Sequence, residues 1–182
     1  MLIAEGHKLL AEQGLAKFSG REVAKRAGYS VGTIYNVFGS LDRLMGAINS
    51  HTFSLWADFL QGRLDEAGED RIRSLVEGYF DFALAHPNLW SAIYDHRLAE
   101  GEQLDEADYD QRAALTAIVE KEVRAALPNP DMPEAARFAR SLIATVHGHC
   151  SYVVTGIFAL LEEPDPVGSA LARVRECLAA QS

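Results

Sequence analysis

Ser19-Gly20-Arg21-Glu22-Val23-Ala24-Lys25-Arg26-Ala27-Gly28-Tyr29-Ser30-Val31-Gly32-Thr33-Ile34-Tyr35-Asn36-Val37-Phe38-Gly39-Ser40 decides the fold. It reads as two short helices, each with its own start and stop. Ser19 followed by Glu22 is a capping-box pattern, in which the hydroxyl caps free first-turn amides and the carboxylate reaches back to the cap. Val23, Ala24 and Ala27 face inward, and Gly28 supplies the left-handed stop. Ser30 caps the next helix, which carries Val31, Ile34, Tyr35 and Phe38 on its inner and flanking faces and stops at Gly39. Small Ala24 lets the two axes approach, and Gly28 allows the sharp turn without a Cβ clash. Val23, Ile34 and Phe38 fill the small core beneath. A second helix this short is not stable alone, so helices before and after must hold it. Both are present. Leu2, Gly6, Leu9 and Leu10 share a face of a helix that Gly14 ends. Ser40 caps a longer helix with Asp42 in its first turn, where the dipole favours an anion.

The outward side of the second helix is unlike an ordinary solvated face. Ser30, Gly32, Thr33, Tyr35 and Asn36 are small or hydrogen-bonding, and no charge occurs between Ala27 and Leu41. Such a helix fits a major groove. Its N-terminal amides, with the Ser30 and Thr33 hydroxyls, suit a phosphate oxygen. Asn36 can pair with an adenine edge, and Tyr35 can donate to a phosphate or pack on a sugar. Arg21, Lys25 and Arg26 add charge for the backbone. The candidate DNA contacts are therefore Arg21, Lys25, Ser30, Gly32, Thr33, Tyr35, Asn36 and Ser40. A three-helix packing module with a polar face would show the same pattern.

Outward from this stretch, every apolar pattern has helical spacing. Leu44, Met45, Ile48, Thr52, Leu55, Trp56, Phe59 and Leu60 continue the helix begun at Ser40. Ile72, Leu75, Val76, Tyr79, Phe80 and Ala83 form another stripe. His86-Pro87 breaks it, and Pro87 suits the first turn of a helix holding Leu89, Trp90, Ile93 and Tyr94. Glu100 to Asp110, with six acids, is the best candidate for an exposed loop. Leu115 to Leu127 marks a helix that Pro128, Pro130 and Pro133 end. Glu134 to Leu161 is expected as one long, mostly apolar helix, and Val167, Leu171, Val174 and Leu178 mark the last. The fold class is all-α with about nine helices. A helix-turn-helix domain over residues 1–46 precedes a helical ligand-binding and dimerisation domain over 47–182.

At 182 residues the chain is long enough to bury a sizeable core, and 48% apolar with 24% charged residues is ordinary globular composition. Its formal charge of −9 excludes a protein that simply coats nucleic acid or anionic membrane. That sum hides an asymmetry: residues 1–56 carry six Lys and Arg against four acids, and the remainder eleven against twenty-two. Cys150 and Cys177 are too few for a disulfide framework and have no paired metal spacing. Ser141 to Leu161 holds no charge, yet its histidines, glycines and hydroxyls mark a buried helix rather than a membrane span. No signal peptide is visible; a reduced, cytoplasmic setting is expected.

Residues Arg21 to Leu44 resemble the N-terminal domain of the tetracycline-repressor (TetR) family. Val23-Ala24, Ala27-Gly28-Tyr29-Ser30, Gly32-Thr33-Ile34-Tyr35, Val37-Phe38 and Ser40-Leu41-Asp42-Arg43-Leu44 stand where that family has its recurrent motifs. The resemblance covers roughly residues 2–60. It implies a homodimer with one head per operator half-site and a ligand-binding body whose change of shape releases DNA. The family usually has a lysine at the place of Leu41, so one phosphate contact is missing and affinity is expected to be lower and less salt-dependent. The chain also lacks the basic residues that commonly precede the first helix. This implies either fewer operator contacts or a start further upstream.

Within the body, His86, Trp90, His147 and Tyr152 combine bulk with a polar handle and are the candidate effector contacts. No metal site is expected. His147 and His149 point roughly 200° apart on a helix, and His147 with Cys150 makes only two ligands. No cofactor is expected either. The uncharged length of the Glu134 helix, together with the last helix, is better explained as a homodimer interface than as a buried centre. No phosphate loop, nucleophile elbow or His-Glu-x-x-His pair points to an enzyme. The function expected is a ligand-responsive DNA-binding regulator, a repressor released from a near-palindromic operator by a small molecule. The alternative is a small-molecule or protein-binding module that has lost DNA binding.

Overall fold

In the computed structural model, which describes residues 1–181, every regular element is helical. The order is α1 (Leu2–Gln13), a 3-10 turn (Leu15–Lys17), α2 (Gly20–Arg26), α3 (Val31–Phe38), α4 (Leu41–Asp65), α5 (Arg71–Ala85), α6 (Pro87–Asp95), α7 (Glu106–Ala126), α8 (Ala135–Val154), α9 (Ile157–Leu160) and α10 (Pro166–Ala179). The all-α class holds, and two boundaries differ from the sequence reading. The single helix expected over Glu134 to Leu161 is broken after Val154. Gly156 adopts a left-handed φ of 76°, and the Thr155 and Gly156 amides cap the carbonyls of Ser151 and Val153. A left-handed residue at that place ends a helix however apolar its neighbours are. The acidic stretch expected as loop through Asp110 is helical from Glu106. Glu106 and Asp108 occupy the first turn of α7, where the helix dipole favours anions.

The chain forms two compact units. The first comprises Met1–Leu55 with His86–Ala114, and the second Trp56–Ala85 with the chain from Leu115 onward. In the first unit Leu9, Leu10, Val23, Ala24, Ile34, Leu44 and Ile48 form one core with Leu89 and Ala92 of α6. At about 1.5–3 kcal/mol for each large side chain fully buried, this cluster is what holds the short α2 and α3. Asn49 Nδ2 donates to the Ala92 carbonyl at 3.2 Å, and Asn88 Nδ2 to the Ala11 carbonyl at 2.8 Å. These two side chains fasten α6 to α4 and α1.

His7 of α1 also lies in this unit, edge-on to His51 at 5.1 Å. Its Nε2 is buried and has no hydrogen-bond partner among the described residues. Burial first, then the nearby His51 and His86, lower its pKa from 6.5 to about 4.

In the second unit Trp56 stacks on Phe82 at 4.7 Å and meets Tyr79 edge-on at 4.8 Å. Leu142 and Val146 of α8 and Leu171 and Val174 of α10 are buried in the same unit. Glu122 of α7 is only 5% exposed and takes a forked pair from Arg71 of α5, at 2.5 Å from Nε and 2.9 Å from Nη2. A third donor, Arg71 Nη1, reaches the Leu64 carbonyl at 2.9 Å, so one guanidinium ties the end of α4 to α5 and α7. The hydrogen bond from Arg71 outweighs burial and holds the Glu122 carboxyl below its ordinary range.

Two outcomes are expected. Arg71→Ala removes the forked partner of the Glu122 carboxylate and should lower the urea midpoint at neutral pH. The stability that Glu122 contributes is present above the unfolded carboxyl's 4.5 and is lost as pH falls through its lower folded value, so the gap between variant and wild type should narrow in acid. The stability gained by keeping His7 neutral is complete above 6.5 and is lost as pH falls through about 4. Unfolding midpoints across that window should fall less steeply in His7→Leu than in wild type.

Candidate nucleic-acid interface

The α2–α3 hairpin is built from its caps inward. Ser19 Oγ accepts from the Glu22 amide at 3.4 Å. Only half of the expected capping box forms, because the Glu22 carboxylate turns to Arg26 Nε at 3.3 Å. At the other end of α2 the Tyr29 amide donates to the Ala24 carbonyl at 2.8 Å and the Gly28 amide to Lys25 at 3.1 Å. Gly28, at φ 76°, makes this closure possible. Ala24 is 1% exposed, which gives α3 room to cross it.

α3 places only Ile34 fully in the core, with Phe38 packed against the margin. Everything else on it faces outward. Ser30, Gly32, Tyr35 and Asn36 are exposed and Thr33 is half-buried; Tyr35 is 54% accessible. Ser30 does not cap the helix through its side chain as expected. Its hydroxyl lies 3.3 Å from that of Thr33 instead, while the Ser30 carbonyl accepts from the Thr33 amide at 3.0 Å. Two hydroxyls therefore stand together at a helix start whose first amides have no side-chain acceptor, a ready arrangement for an anionic oxygen.

The basic residues of α2 divide into two kinds. Arg26 is tied to Glu12 at 2.8 Å and to Glu22, so it braces α2 against α1. Arg21 and Lys25 are exposed and make no ion pair among the described residues. Ser40 Oγ accepts from the Arg43 amide at 3.1 Å and caps α4. Leu41, at the place of the family's usual lysine, packs on the head core. A Cβ on buried Gly20 would come within 2.8 Å of Leu41 Cδ1.

The four candidate effector contacts lie in different settings. In the first unit His86 is the exposed N-cap of α6, and buried Trp90 lies 5.1 Å from the Tyr94 ring. In the second unit His147 Nδ1 is 3.0 Å from Tyr79 Oη, and burial lowers the His147 pKa. Tyr152 is 43% exposed and meets Phe158 edge-on. A cavity of about 40 Å³ opens in the second unit, lined by Tyr79 and by aliphatic residues that include Leu60, Val76, Val123, Leu142 and Val146. None of the four candidates is among these lining residues; His147 meets Tyr79 of its wall through the Tyr79 hydroxyl and ring. The stripes of α5, α7 and α8 are visible in the sequence as core, but a gap between them depends on how their side chains fail to meet.

His149 Nδ1 turns to the Thr145 carbonyl at 2.9 Å. Burial pushes the Cys150 thiol up to about 12, so it is no nucleophile. Among the described residues no three His, Cys, Asp or Glu side chains converge as metal ligands. None of the described helices is long and apolar enough to cross a membrane.

Residues 72–174 match the family model described as "Tetracyclin repressor-like, C-terminal domain", and residues 2–48 match "Bacterial regulatory proteins, tetR family". The chain belongs to the tetracycline-repressor family. It is 32% identical over 80 residues to the HTH-type transcriptional repressor Rv3405c of Mycobacterium tuberculosis, a match covering 39% of this chain and 43% of that relative. The alignment thus spans less than half the length of that relative. Solved structures share the fold over almost the whole chain. A protein of unknown function from Rhodococcus sp. RHA1 has a TM-score of 0.75 at 23% identity, covering 98% of this chain and 92% of its own. A TetR transcriptional regulator from Rhodococcus sp. RHA1 has a TM-score of 0.72 at 20% identity, covering 100% and 95%.

Leu41→Lys would restore the residue usual in the family. It should cost about 1 kcal/mol in urea unfolding, since a Leu methyl packed on Gly20 is lost while the lysine stem still covers part of the surface.

Proposed function

We propose that the protein is a ligand-responsive, DNA-binding transcriptional regulator that acts as a homodimer, a repressor released from a near-palindromic operator by a small-molecule effector. Residues 1–46 serve as the DNA-binding domain and 47–182 as the effector-binding and dimerisation domain. The observation that carries this reading is α3 itself. One residue, Ile34, anchors it, and the remaining surface offers Ser30, Gly32, Tyr35 and Asn36 to the outside without a single charge. An eight-residue helix kept uncharged on its exposed side is of little use to solubility, but it suits entry into a groove between phosphate rows. Arg21 and Lys25, which make no ion pair among the described residues, suit the phosphates beside it.

Dimerisation is supported by the outer side of α8. Ser141, Ala144, Gly148 and Tyr152 are exposed at helical spacing, small or aromatic, and uncharged. Such a stripe on α8, with α10 packed along the same helix, suits close approach by a second copy. Two heads about 34 Å apart would meet successive major grooves. Effector control is supported by the apolar cavity. Leu60 lines it and belongs to α4, the helix that begins at Leu41 beside the α3 C-terminus. A ligand that enlarges the cavity would move Leu60 and, with it, α4. Linkage then requires DNA to weaken effector binding by the same factor as effector weakens DNA binding.

The test is an electrophoretic mobility shift with duplexes flanking the gene. Wild type should retain one of them specifically. Tyr35→Ala should bind it roughly tenfold more weakly, a loss of about 1–2 kcal/mol for one groove-facing contact, with an unchanged thermal melt. Equal binding by Tyr35→Ala would remove α3 as the recognition helix. No specific retention by a confirmed dimer at low salt would favour a helical binding module without DNA.

A further inference from the structure

The segment from His96 to Asp110 is the most acidic in the chain. It holds Glu100, Glu102, Asp105, Glu106, Asp108 and Asp110 with no lysine or arginine between residues 98 and 111. It belongs to the first unit and is pinned along α4. His96 Nε2 lies 3.4 Å from Asp42 Oδ1. Leu98 and Leu104 cover Gly46, where a Cβ would come within 2.7 Å of Leu104 Cδ2. Arg112, in the second turn of α7, donates to Ser50 Oγ at 3.2 Å and to the Gly46 carbonyl at 3.3 Å. At its centre Asp105 Oδ1 accepts from Arg43 Nη2 at 2.7 Å. A cleft of about 330 Å³ is lined by Tyr35 and Asn36 of α3, by Arg43, and by Gln103, Asp105 and Asp108.

We infer that Arg43 is a phosphate-binding group of the head, and that Asp105 occupies it until a DNA phosphate displaces the carboxylate. This rests on the DNA-binding reading above. Arg43 is the only lysine or arginine from residue 27 to residue 56, so with Leu41 packed against the core it is the sole cation at the start of α4. Its partner is a carboxylate on an adjoining strap, not a neighbour on its own helix. The pair is exposed, 43% at Arg43 and 72% at Asp105, and an exposed pair is weak enough to be exchanged. A phosphate row offers the guanidinium a stronger, forked acceptor. Glu102 and Asp108 line clefts that Arg43 also lines, and their charge opposes the approach of any duplex. An operator that makes base contacts with α3 offsets that repulsion; unmatched DNA does not. The strap thus acts as a filter against non-specific binding.

The test measures anisotropy of two labelled duplexes, one of mixed sequence and one from the region flanking the gene, against the full chain. Asp105→Asn should bind the mixed duplex about threefold to tenfold more tightly than wild type, and its thermal melt should be unchanged because Asp105 is on the surface. Arg43→Ala should weaken binding. Arg43→Ala combined with Asp105→Asn should bind no more tightly than Arg43→Ala alone. Asp105→Asn binding no tighter than wild type would overturn competition for Arg43. So would a gain that persists without Arg43, since that would be bulk charge and not exchange. If neither duplex binds wild type or any variant at low salt, the DNA-binding reading fails first and this inference falls with it.

Discussion

Ile34 is the contact on which the rest of the first unit depends. α3 has eight residues, and a helix that short has no stability of its own. It keeps its place because one side chain, 1% exposed, is inserted among Val23, Leu44 and the other members of a core drawn from α1, α2, α4 and α6. Spending only one full core position on α3 leaves its other faces free. The neighbours supply the rigidity. Gly28 turns the chain sharply, Ala24 admits the crossing, and Arg26 binds α2 back to Glu12 on α1. A surface that must meet a partner is thereby held firmly while burying almost nothing of itself.

The same economy explains what could be read from residues alone. Caps and stops are local, so α1, α2, α3 and the start of α4 follow from Gly14, Ser19, Gly28, Gly39 and Ser40. Apolar stripes at helical spacing placed α5, α6, α7 and α10. Other features depend on competition between local choices. Glu22 could reach its cap or Arg26, and Arg26 won because a charged donor on the next turn is the stronger partner. Glu106 and Asp108 suit a loop or a helix start equally well, and the order of acids cannot separate the two. Gly156 could continue an apolar helix or end it, and it ends α8 in a left-handed conformation. The cavity beside Tyr79 was out of reach for a different reason: it is a failure of packing among stripes that each look complete.

Charge takes on a different meaning once it is placed. The net −9 is not spread evenly. Arg21 and Lys25 on α2 make no ion pair among the described residues, whereas Arg43 is held by the acidic strap and Arg71 by buried Glu122. The cations of this protein are therefore sorted by how strongly each is held. The forked Arg71–Glu122 pair, whose carboxylate is buried, is structural. The exposed Arg43–Asp105 pair is exchangeable, and the unpaired pair on α2 is free for a partner at once.

The central claim is that two copies of α3 enter successive major grooves of one duplex. Hydroxyl-radical footprinting of the chain on its flanking DNA measures this most directly. The account predicts two protected patches of backbone, related by a dyad and separated by about one helical turn, roughly 34 Å. A single patch, or protection spread evenly along the duplex, would contradict it.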